Sequence, residues 1–198
     1  MEVESLVSKI EINKIEKERS LYLAAYDLFT TKGINHTAIS DIVKEAGVAK
    51  GTFYLYFRDK HDILNKIVLD KSIKVLNSAI KETKIREFDN YRDEILFFID
   101  YIIGFFEKEQ LMLGLIHKNL SWGVYRKARE EYEEMSELYL MFENHYKDTD
   151  MKKGDIEKLL FMIVDLVGSV CYSSIILNEP SGINEMRPIL FSTIKKII

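Results

Sequence analysis

Residues 50–56 hold the side chains whose types and spacing are best suited to chemistry at a surface. A cation, a glycine, a hydroxyl and two phenols stand together in this segment, at Lys50, Gly51, Thr52, Tyr54 and Tyr56. The neighbouring aromatic residues Phe53 and Phe57 are expected to pack inward, which leaves the polar set facing outward. Such a surface donates hydrogen bonds and lets another backbone approach closely at the glycine, and both properties suit contacts to phosphate groups.

The sequence before this segment predicts the elements that position it. Thr37 is a good N-cap for a short helix over 38–45, Gly47 lies in a tight turn, and a second helix follows from about residue 49 to 56. The inward positions of these helices are apolar, at Ile39, Ile42, Val43, Ala46 and Val48. Two short helices joined by a glycine-containing turn form a helix-turn-helix, whose second helix enters the major groove of DNA.

The stretch from Ala25 to Leu64 closely resembles the DNA-binding domain of the TetR family of bacterial repressors. The matching features are Phe29, Gly33, Thr37, Ile42 through Gly47, Lys50-Gly51-Thr52-Phe53-Tyr54, Tyr56-Phe57, Lys60 and Leu64. The resemblance covers about a quarter of the chain at the level of motifs. It implies a dimer that reads two half-sites of an operator and a helical sensor domain behind the DNA-binding helices.

The resemblance also implies roles for individual positions. Tyr54 and Lys60 would hold DNA phosphates, and Thr37 and Ser40 would do so at the start of the second helix, where free backbone N–H groups favour anions. Gly51 and Thr52 would lie nearest the base edges. Ala49 stands where a serine or threonine is frequent, and we predict that it contacts a thymine methyl group. Leu55 stands where an aromatic residue is frequent, so the base preference of the family does not transfer.

Helix signals continue to the end of the chain, so we predict an all-α fold. It combines an N-terminal three-helix DNA-binding domain over 1–58 with a helical-bundle domain for effector binding and dimerisation over 59–198. The predicted helices after the helix-turn-helix cover about 60–84, 91–107, 111–118, 123–146, 156–178 and 184–197. Asp59 and Asp155 are the predicted N-caps of the first and fifth of these.

Aromatic side chains cluster in the second half of the chain, where the resemblance implies an apolar ligand cavity. The predicted ligand contacts are Asp100, Tyr101, Phe105, Trp122, Tyr125, Phe161 and Asp165. Each carboxylate interrupts an apolar segment and must find a partner or an edge, because a buried unpaired charge is costly. Pairing with an internal cation and contact with a polar ligand both stay open for Asp100 and Asp165. His117 fits a helix end better than a corner of the cavity.

Small and apolar residues near the C-terminus predict a dimer interface. The resemblance implies a two-fold four-helix contact there, built from Gly168, Ser169, Tyr172, Ile189 and Ile194. Self-complementary pairing suits a regulator that reads two half-sites.

Other features bear on class and location. The net charge is −4, but residues 44–74 hold seven basic and four acidic side chains, a local positive excess. The single cysteine, Cys171, excludes an intramolecular disulfide and favours the cytoplasm. The first 20 residues do not have the pattern of a secretory signal, and the apolar segment 159–177 contains Asp165, so we expect a soluble protein without membrane contact.

The sequence shows no catalytic or metal-binding pattern. The four histidines have no ligand spacing, and there is neither a phosphate-binding glycine loop nor a nucleophile elbow. We therefore predict a ligand-responsive DNA-binding transcription regulator without cofactor or enzymatic activity. The expected form is a repressor that a small, mainly apolar effector of unknown identity releases from double-stranded operator DNA. A DNA-binding activator, a ligand-independent regulator, and a helical interaction protein that has lost DNA binding are the alternatives.

Overall fold

A computed structural model describes residues 9–147 and 149–198, and the described part of the chain is helical without strands, which confirms the all-α prediction. The helices are α1 (Lys9–Thr31), α2 (Ile39–Glu45), α3 (Lys50–Tyr56), α4 (Lys60–Lys84), α5 (Tyr91–Lys108), α6 (Gln110–Asn119), α7 (Trp122–Glu131), α8 (Glu133–Tyr146), α9 (Lys153–Cys171) and α10 (Ile183–Ile197). The chain divides into two compact units, Met1–Ile67 and Val68–Ile198.

The first unit is held together by apolar side chains that the helical period places on facing surfaces of α1, α2 and α3. Leu21 and Ala25 of α1, Ile42 of α2 and Phe53 of α3 are all completely buried. A buried side chain of this size stabilises a fold by about 1.5–3 kcal/mol relative to its exposed state. This core fixes α3 through one face and leaves the other face free.

Tight turns set the helix boundaries of the first unit. Gly33 and Gly47 have φ angles of 81° and 67°, a region that side chains other than glycine rarely occupy. At the start of α4, the carboxylate of Asp59 accepts hydrogen bonds from the backbone N–H groups of His61 and Asp62, at 2.7 and 2.9 Å. Asp59 is therefore the N-cap that the sequence predicts, and α4 has the predicted bounds.

The second unit packs α5–α10 against the later part of α4. The predicted helix over 123–146 is in fact two helices, α7 and α8, because Tyr132 between them has an extended backbone (φ −125°, ψ 125°). Its hydroxyl donates a 2.8 Å hydrogen bond to the carboxylate of Asp70 in α4. The predicted N-cap Asp155 is also wrong, since α9 already begins at Lys153 and the side chain of Asp155 instead pairs with Lys158.

Helix α9 continues into a π-helical segment, Tyr172–Leu177, which ends at Asn178 in the left-handed conformation. Among the described residues this combined helix, Lys153–Leu177, is the one that is long and apolar enough to cross a membrane by length and composition. Only 28% of its most apolar window is buried. One such helix is weak support for a membrane span, and its exposed apolar face needs another explanation.

Candidate DNA-binding surface and effector cavity

Helix α3 presents a continuous outward face. Lys50, Gly51, Tyr54 and Leu55 are exposed, while Phe53 on the opposite face is completely buried. The ring of Tyr54 packs edge-on against the ring of Phe53, with 5.5 Å between centroids, and is 52% exposed. The buried aromatic thus orients the exposed one, and the phenol hydroxyl of Tyr54 is free to meet a partner outside the protein.

The other predicted contacts lie around this face at different depths. Ala49 is the exposed N-cap residue of α3, and Ser40 is exposed in the first turn of α2. Thr52 and Tyr56 are half-buried. The structure therefore places all the predicted base-reading positions on or beside the exposed face of α3.

Thr37 differs from its predicted role. The N-cap of α2 is Ala38, whose N–H donates to the carboxylate of Asp41 at 2.9 Å. Thr37 is only 1% exposed, and its hydroxyl donates to the carbonyl oxygen of Gly33 at 2.9 Å. The predicted cap is wrong because the hydroxyl turns back toward the preceding turn. The side chain of Thr37 is not placed to hold a phosphate.

Lys60 is half-buried at the first residue of α4. Its ammonium nitrogen donates to the carbonyl oxygens of Ile34 and Thr37, at 2.8 and 3.2 Å. An ammonium group has three N–H donors, so one is left for a partner outside the protein. The lysine that the resemblance assigns to a phosphate therefore also ties α4 to the segment that leads into α2.

The second unit contains a partly open cavity of about 110 Å³ among the helices from α4 to α9. Its wall is almost entirely apolar, with Leu69, Phe98 and Leu113 as examples from α4, α5 and α6. Helical bundles commonly enclose ligands in such spaces. The cavity agrees with the sequence-based expectation of an apolar pocket between the middle helices.

Two of the seven predicted ligand contacts line this cavity, Tyr125 and Asp165. Tyr125 is 3% exposed, and burial raises the pKa of its hydroxyl well above the ordinary value, with Glu157 as a smaller cause in the same direction. The hydroxyl has no hydrogen-bond partner within the described part of the chain. Asp165 is exposed, so it lies at an edge, where a carboxylate can stay hydrated.

The other five predicted contacts do not line the cavity. Trp122 and Phe161 lie behind Tyr125, with ring centroids 5.3 and 5.6 Å from its ring, and Trp122 is partly exposed. Asp100 forms an ion pair with Arg187, at 3.1 Å, and the same guanidinium also bonds Glu107. Of the two possibilities left open for Asp100, the structure shows internal pairing.

Tyr101 and Phe105 are the remaining two, and both lie half-buried on α5 outside the cavity wall. Phe105 packs edge-on against Phe106, which does line the wall. The predicted lining residue on α5 was therefore one position away from the observed one. The apolar segment of α5 is continuous, so the sequence does not show which side of the helix faces the cavity.

Sequence reasoning missed two polar residues of the wall. Ser72 on α4 lines the cavity, and its hydroxyl is buried without a hydrogen-bond partner among the described residues. His117 lines it as well, while its ring stacks on Tyr172 with 4.6 Å between centroids. His117 is in the last turn of α6, so it is both a helix end and a corner of the cavity. Ser72 lies between Lys71 and Ile73, so its neighbours in the sequence gave no signal for a cavity position.

The predicted dimer residues separate into two groups. Ile194 is completely buried within its own unit, and a Cβ atom on Gly168 would lie 3.9 Å from Nδ1 of His117, beside the cavity. The assignment of Ile194 is corrected, since its side chain already packs inside the chain. Gly168 is half-buried, and its place in a dimer interface stays a prediction. Ser169 and Tyr172 are half-buried, and Ile189 is 60% exposed.

The segment that forms the helix-turn-helix also matches a family model in sequence. Residues 21–67 match the model of the bacterial regulatory proteins of the tetR family. Residues 21–67 therefore carry the DNA-binding domain typical of the TetR family. The match includes α2, α3 and the start of α4, so the exposed face of α3 and Lys60 lie inside the segment typical of the TetR family.

Curated relatives of this chain include two regulators of Bacillus subtilis. The uncharacterized HTH-type transcriptional regulator YvdT is 45% identical over 51 residues, which are 26% of this chain and 26% of YvdT. The fatty acid metabolism regulator protein is 40% identical over 62 residues, 30% of this chain and 32% of that protein. The chain thus matches only about a quarter to a third of the length of these relatives.

Solved structures share the fold over nearly the whole chain. The transcriptional regulator FadR from Bacillus subtilis, in complex with stearoyl-CoA, has a TM-score of 0.65 at 18% identity, covering 91% of this chain and 99% of FadR. A TetR-family transcriptional regulator from Streptomyces coelicolor has a TM-score of 0.65 at 13% identity, covering 92% and 99%. At these identities the likeness establishes the fold.

Proposed function

We propose that the protein is a dimeric, DNA-binding transcription regulator that a small, mainly apolar effector releases from its operator. The observation that carries this proposal is the exposed face of α3, with Lys50, Gly51 and Tyr54 oriented by the buried Phe53. The face lies within the segment that matches the tetR family model.

The DNA contacts in this proposal are of two kinds, contacts to phosphates and contacts to base edges. Lys50, Tyr54 and the third N–H of Lys60 hold phosphates, together with the exposed hydroxyl of Ser40. Ala49, Gly51, Thr52 and Tyr56 lie nearest the base edges. Phosphate contacts position the protein, and contacts to base edges specify the sequence.

Effector control rests on the cavity of the second unit and on α4. Helix α4 carries cavity residues such as Leu69, Ser72 and Ile73 in its middle and Lys60 at its first residue. We propose that an effector in the cavity favours a position of α4 in which the two recognition helices no longer fit successive major grooves. The FadR structure with stearoyl-CoA supports a ligand site in this fold. A ligand shifts the equilibrium only by its difference in affinity for the two states.

Homodimer formation is supported by apolar surface on the last helices. Met162 on α9 and Ile189 on α10 are 64% and 60% exposed, and most of the apolar Lys153–Leu177 helix is not buried within its own chain. We propose that a second copy covers this surface, and that the protein acts in the cytoplasm without membrane contact. We assign it no catalytic activity, metal or cofactor.

A gel-shift experiment with the DNA upstream of the protein's own gene tests DNA binding, with a scrambled fragment as the control. Sequence-specific retention is expected, and it should weaken in Lys50→Ala and Tyr54→Ala variants. Retention of neither fragment would favour a helical interaction protein that has lost DNA binding. Equal retention of both fragments would contradict sequence-specific recognition. Transcription from the same promoter with purified RNA polymerase separates a repressor, which lowers the transcript, from an activator, which raises it.

A further inference from the structure

The cavity of the second unit is small in comparison with most ligand sites. Its volume is about 110 Å³. Sites for drug-sized ligands typically have about 300–1,000 Å³, whereas an engineered apolar cavity of about 150 Å³ holds one benzene molecule. The space present is therefore of the order of a single small ring, and this sets the size of the group that the ligand buries there.

Two hydroxyls in the wall are left without partners. Tyr125 is 3% exposed, and both its hydroxyl and that of Ser72 are buried with no hydrogen bond among the described residues. A buried polar group without a partner is destabilising, and native proteins retain few of them. Because these two lie on α7 and α4, they provide hydrogen bonding at two places in an otherwise apolar wall.

The wall offers no buried ion to balance a charged ligand. Among the residues that line the cavity, the acidic side chain is that of Asp165, which is exposed. The basic side chain of the lining is that of His117. Asp100, the other predicted counter-charge, is already paired with Arg187. Transfer of a charged group into an apolar cavity without a buried partner is strongly unfavourable.

We propose that the effector is an uncharged, compact, mainly apolar molecule whose hydroxyl or carbonyl group hydrogen-bonds Tyr125 or Ser72. This assignment rests on the proposed function, in which the cavity is the effector site, and it specifies the ligand class. Both side chains donate and accept hydrogen bonds, so an alcohol can pair with them as donor or acceptor and a ketone can accept a hydrogen bond from them.

A series of cyclohexyl compounds tests the assignment by isothermal titration calorimetry on the purified full chain without DNA. Cyclohexanol and cyclohexanone are expected to bind, and cyclohexane to bind about three- to tenfold more weakly, since one buried hydrogen bond contributes about that factor. Cyclohexylamine, which is protonated at neutral pH, and decanoyl-CoA are expected to bind more weakly than cyclohexanol. The emission of Trp122, whose ring is stacked on Tyr125, provides a second readout.

Variants separate the two hydroxyls from the rest of the wall. At least one of the two variants Tyr125→Phe and Ser72→Ala should reduce the preference for cyclohexanol over cyclohexane about three- to tenfold. Neither should lower the melting temperature, because each removes a buried hydroxyl that has no partner. Tyr101→Phe, outside the cavity, and Ser78→Ala, whose hydroxyl bonds the carbonyl of Lys74, are the matched controls and should leave the preference unchanged.

The outcomes distinguish this assignment from the proposed function. Tighter binding of cyclohexylamine or decanoyl-CoA than of cyclohexanol overturns it, as does failure of the whole series to bind. An unchanged preference in both hydroxyl variants overturns it as well. Gel shifts on the same samples are independent, so intact operator binding with no cyclohexanol binding contradicts only the ligand class. Cyclohexanol binding without any operator binding contradicts only the proposed function.

Discussion

The ammonium nitrogen of Lys60 donates a hydrogen bond to the carbonyl oxygen of Ile34 across 2.8 Å, and a second one reaches Thr37. The two contacts join the first residue of α4 to the turn that leads into α2, 23 and 26 positions earlier in the chain. Lys60 thereby fixes the entrance of the helix-turn-helix, and its remaining N–H is available for a phosphate.

Replacement of Lys60 by methionine should lower stability as well as operator affinity. Hydrogen bonds from a charged group contribute about 1.5–3 kcal/mol, and we expect a loss of about 1–3 kcal/mol in the free energy of unfolding measured with urea. Lys50→Met is the matched control, because Lys50 is exposed and should affect only DNA binding.

The salt dependence of operator affinity tests whether Lys50 and Lys60 each contact a phosphate. Loss of one phosphate contact reduces the slope of log affinity against log salt by about one, and we expect this change for Lys50→Met. The same change is expected for Lys60→Met, because the third N–H of Lys60 holds a phosphate in the proposed function. If Lys60→Met had the same free energy of unfolding as the wild type, the contacts to Ile34 and Thr37 would not contribute to stability.

Tyr54 should act through its hydroxyl. We expect Tyr54→Phe to weaken operator binding about tenfold or more, because a hydrogen bond to a charged phosphate is lost. The ring still packs on Phe53, so the melting temperature should not fall. Tyr54→Ala should weaken binding and also remove this packing. Unchanged operator affinity for Tyr54→Phe would exclude a phosphate contact by the hydroxyl.

The first unit could be predicted closely because local signals set its boundaries. The left-handed backbone at Gly47 and the capping carboxylate of Asp59 act over a few residues, and the sequence shows both. Thr37 misled the prediction because a threonine before a helix is a common cap. Here Asp41 bonds the N–H of Ala38 instead, and the threonine hydroxyl turns to Gly33.

The second unit was less predictable because its details depend on contacts between distant helices. The break at Tyr132 coincides with a hydrogen bond to Asp70, 62 residues earlier in the chain. Which aromatic residues line the cavity depends in the same way on how the helices meet. Trp122 stacks on Tyr125 and Phe161 packs edge-on against it, and neither of the two lines the cavity. Ser72 resembles a surface residue on a lysine-rich helix, so the sequence did not predict its place in the cavity wall.

A charge on the exposed apolar surface of the last helices should separate the proposed dimer. Ile189→Glu should fold, because the side chain is 60% exposed within its own chain, and sedimentation should then show monomers. An unpaired carboxylate buried in an interface is strongly destabilising. Ile85→Glu is the control, since Ile85 is also exposed but lies outside α9 and α10. An intact dimer for both Ile189→Glu and Met162→Glu would place the interface elsewhere.

Cys171 should make stability depend on pH in the alkaline range. The thiol is completely buried, and burial, as the largest cause, raises its pKa to about 12. An unfolded thiol has a pKa of about 8.5. Between these values the unfolded chain releases a proton that the folded chain keeps, so the contribution is complete below about pH 8.5 and is lost as the pH rises toward 12. The free energy of unfolding should therefore fall by up to about 1.4 kcal/mol per pH unit more in the wild type than in Cys171→Ala. Urea titrations of both proteins across this range give that difference directly, and parallel curves would show that the folded thiol ionises as readily as the unfolded one.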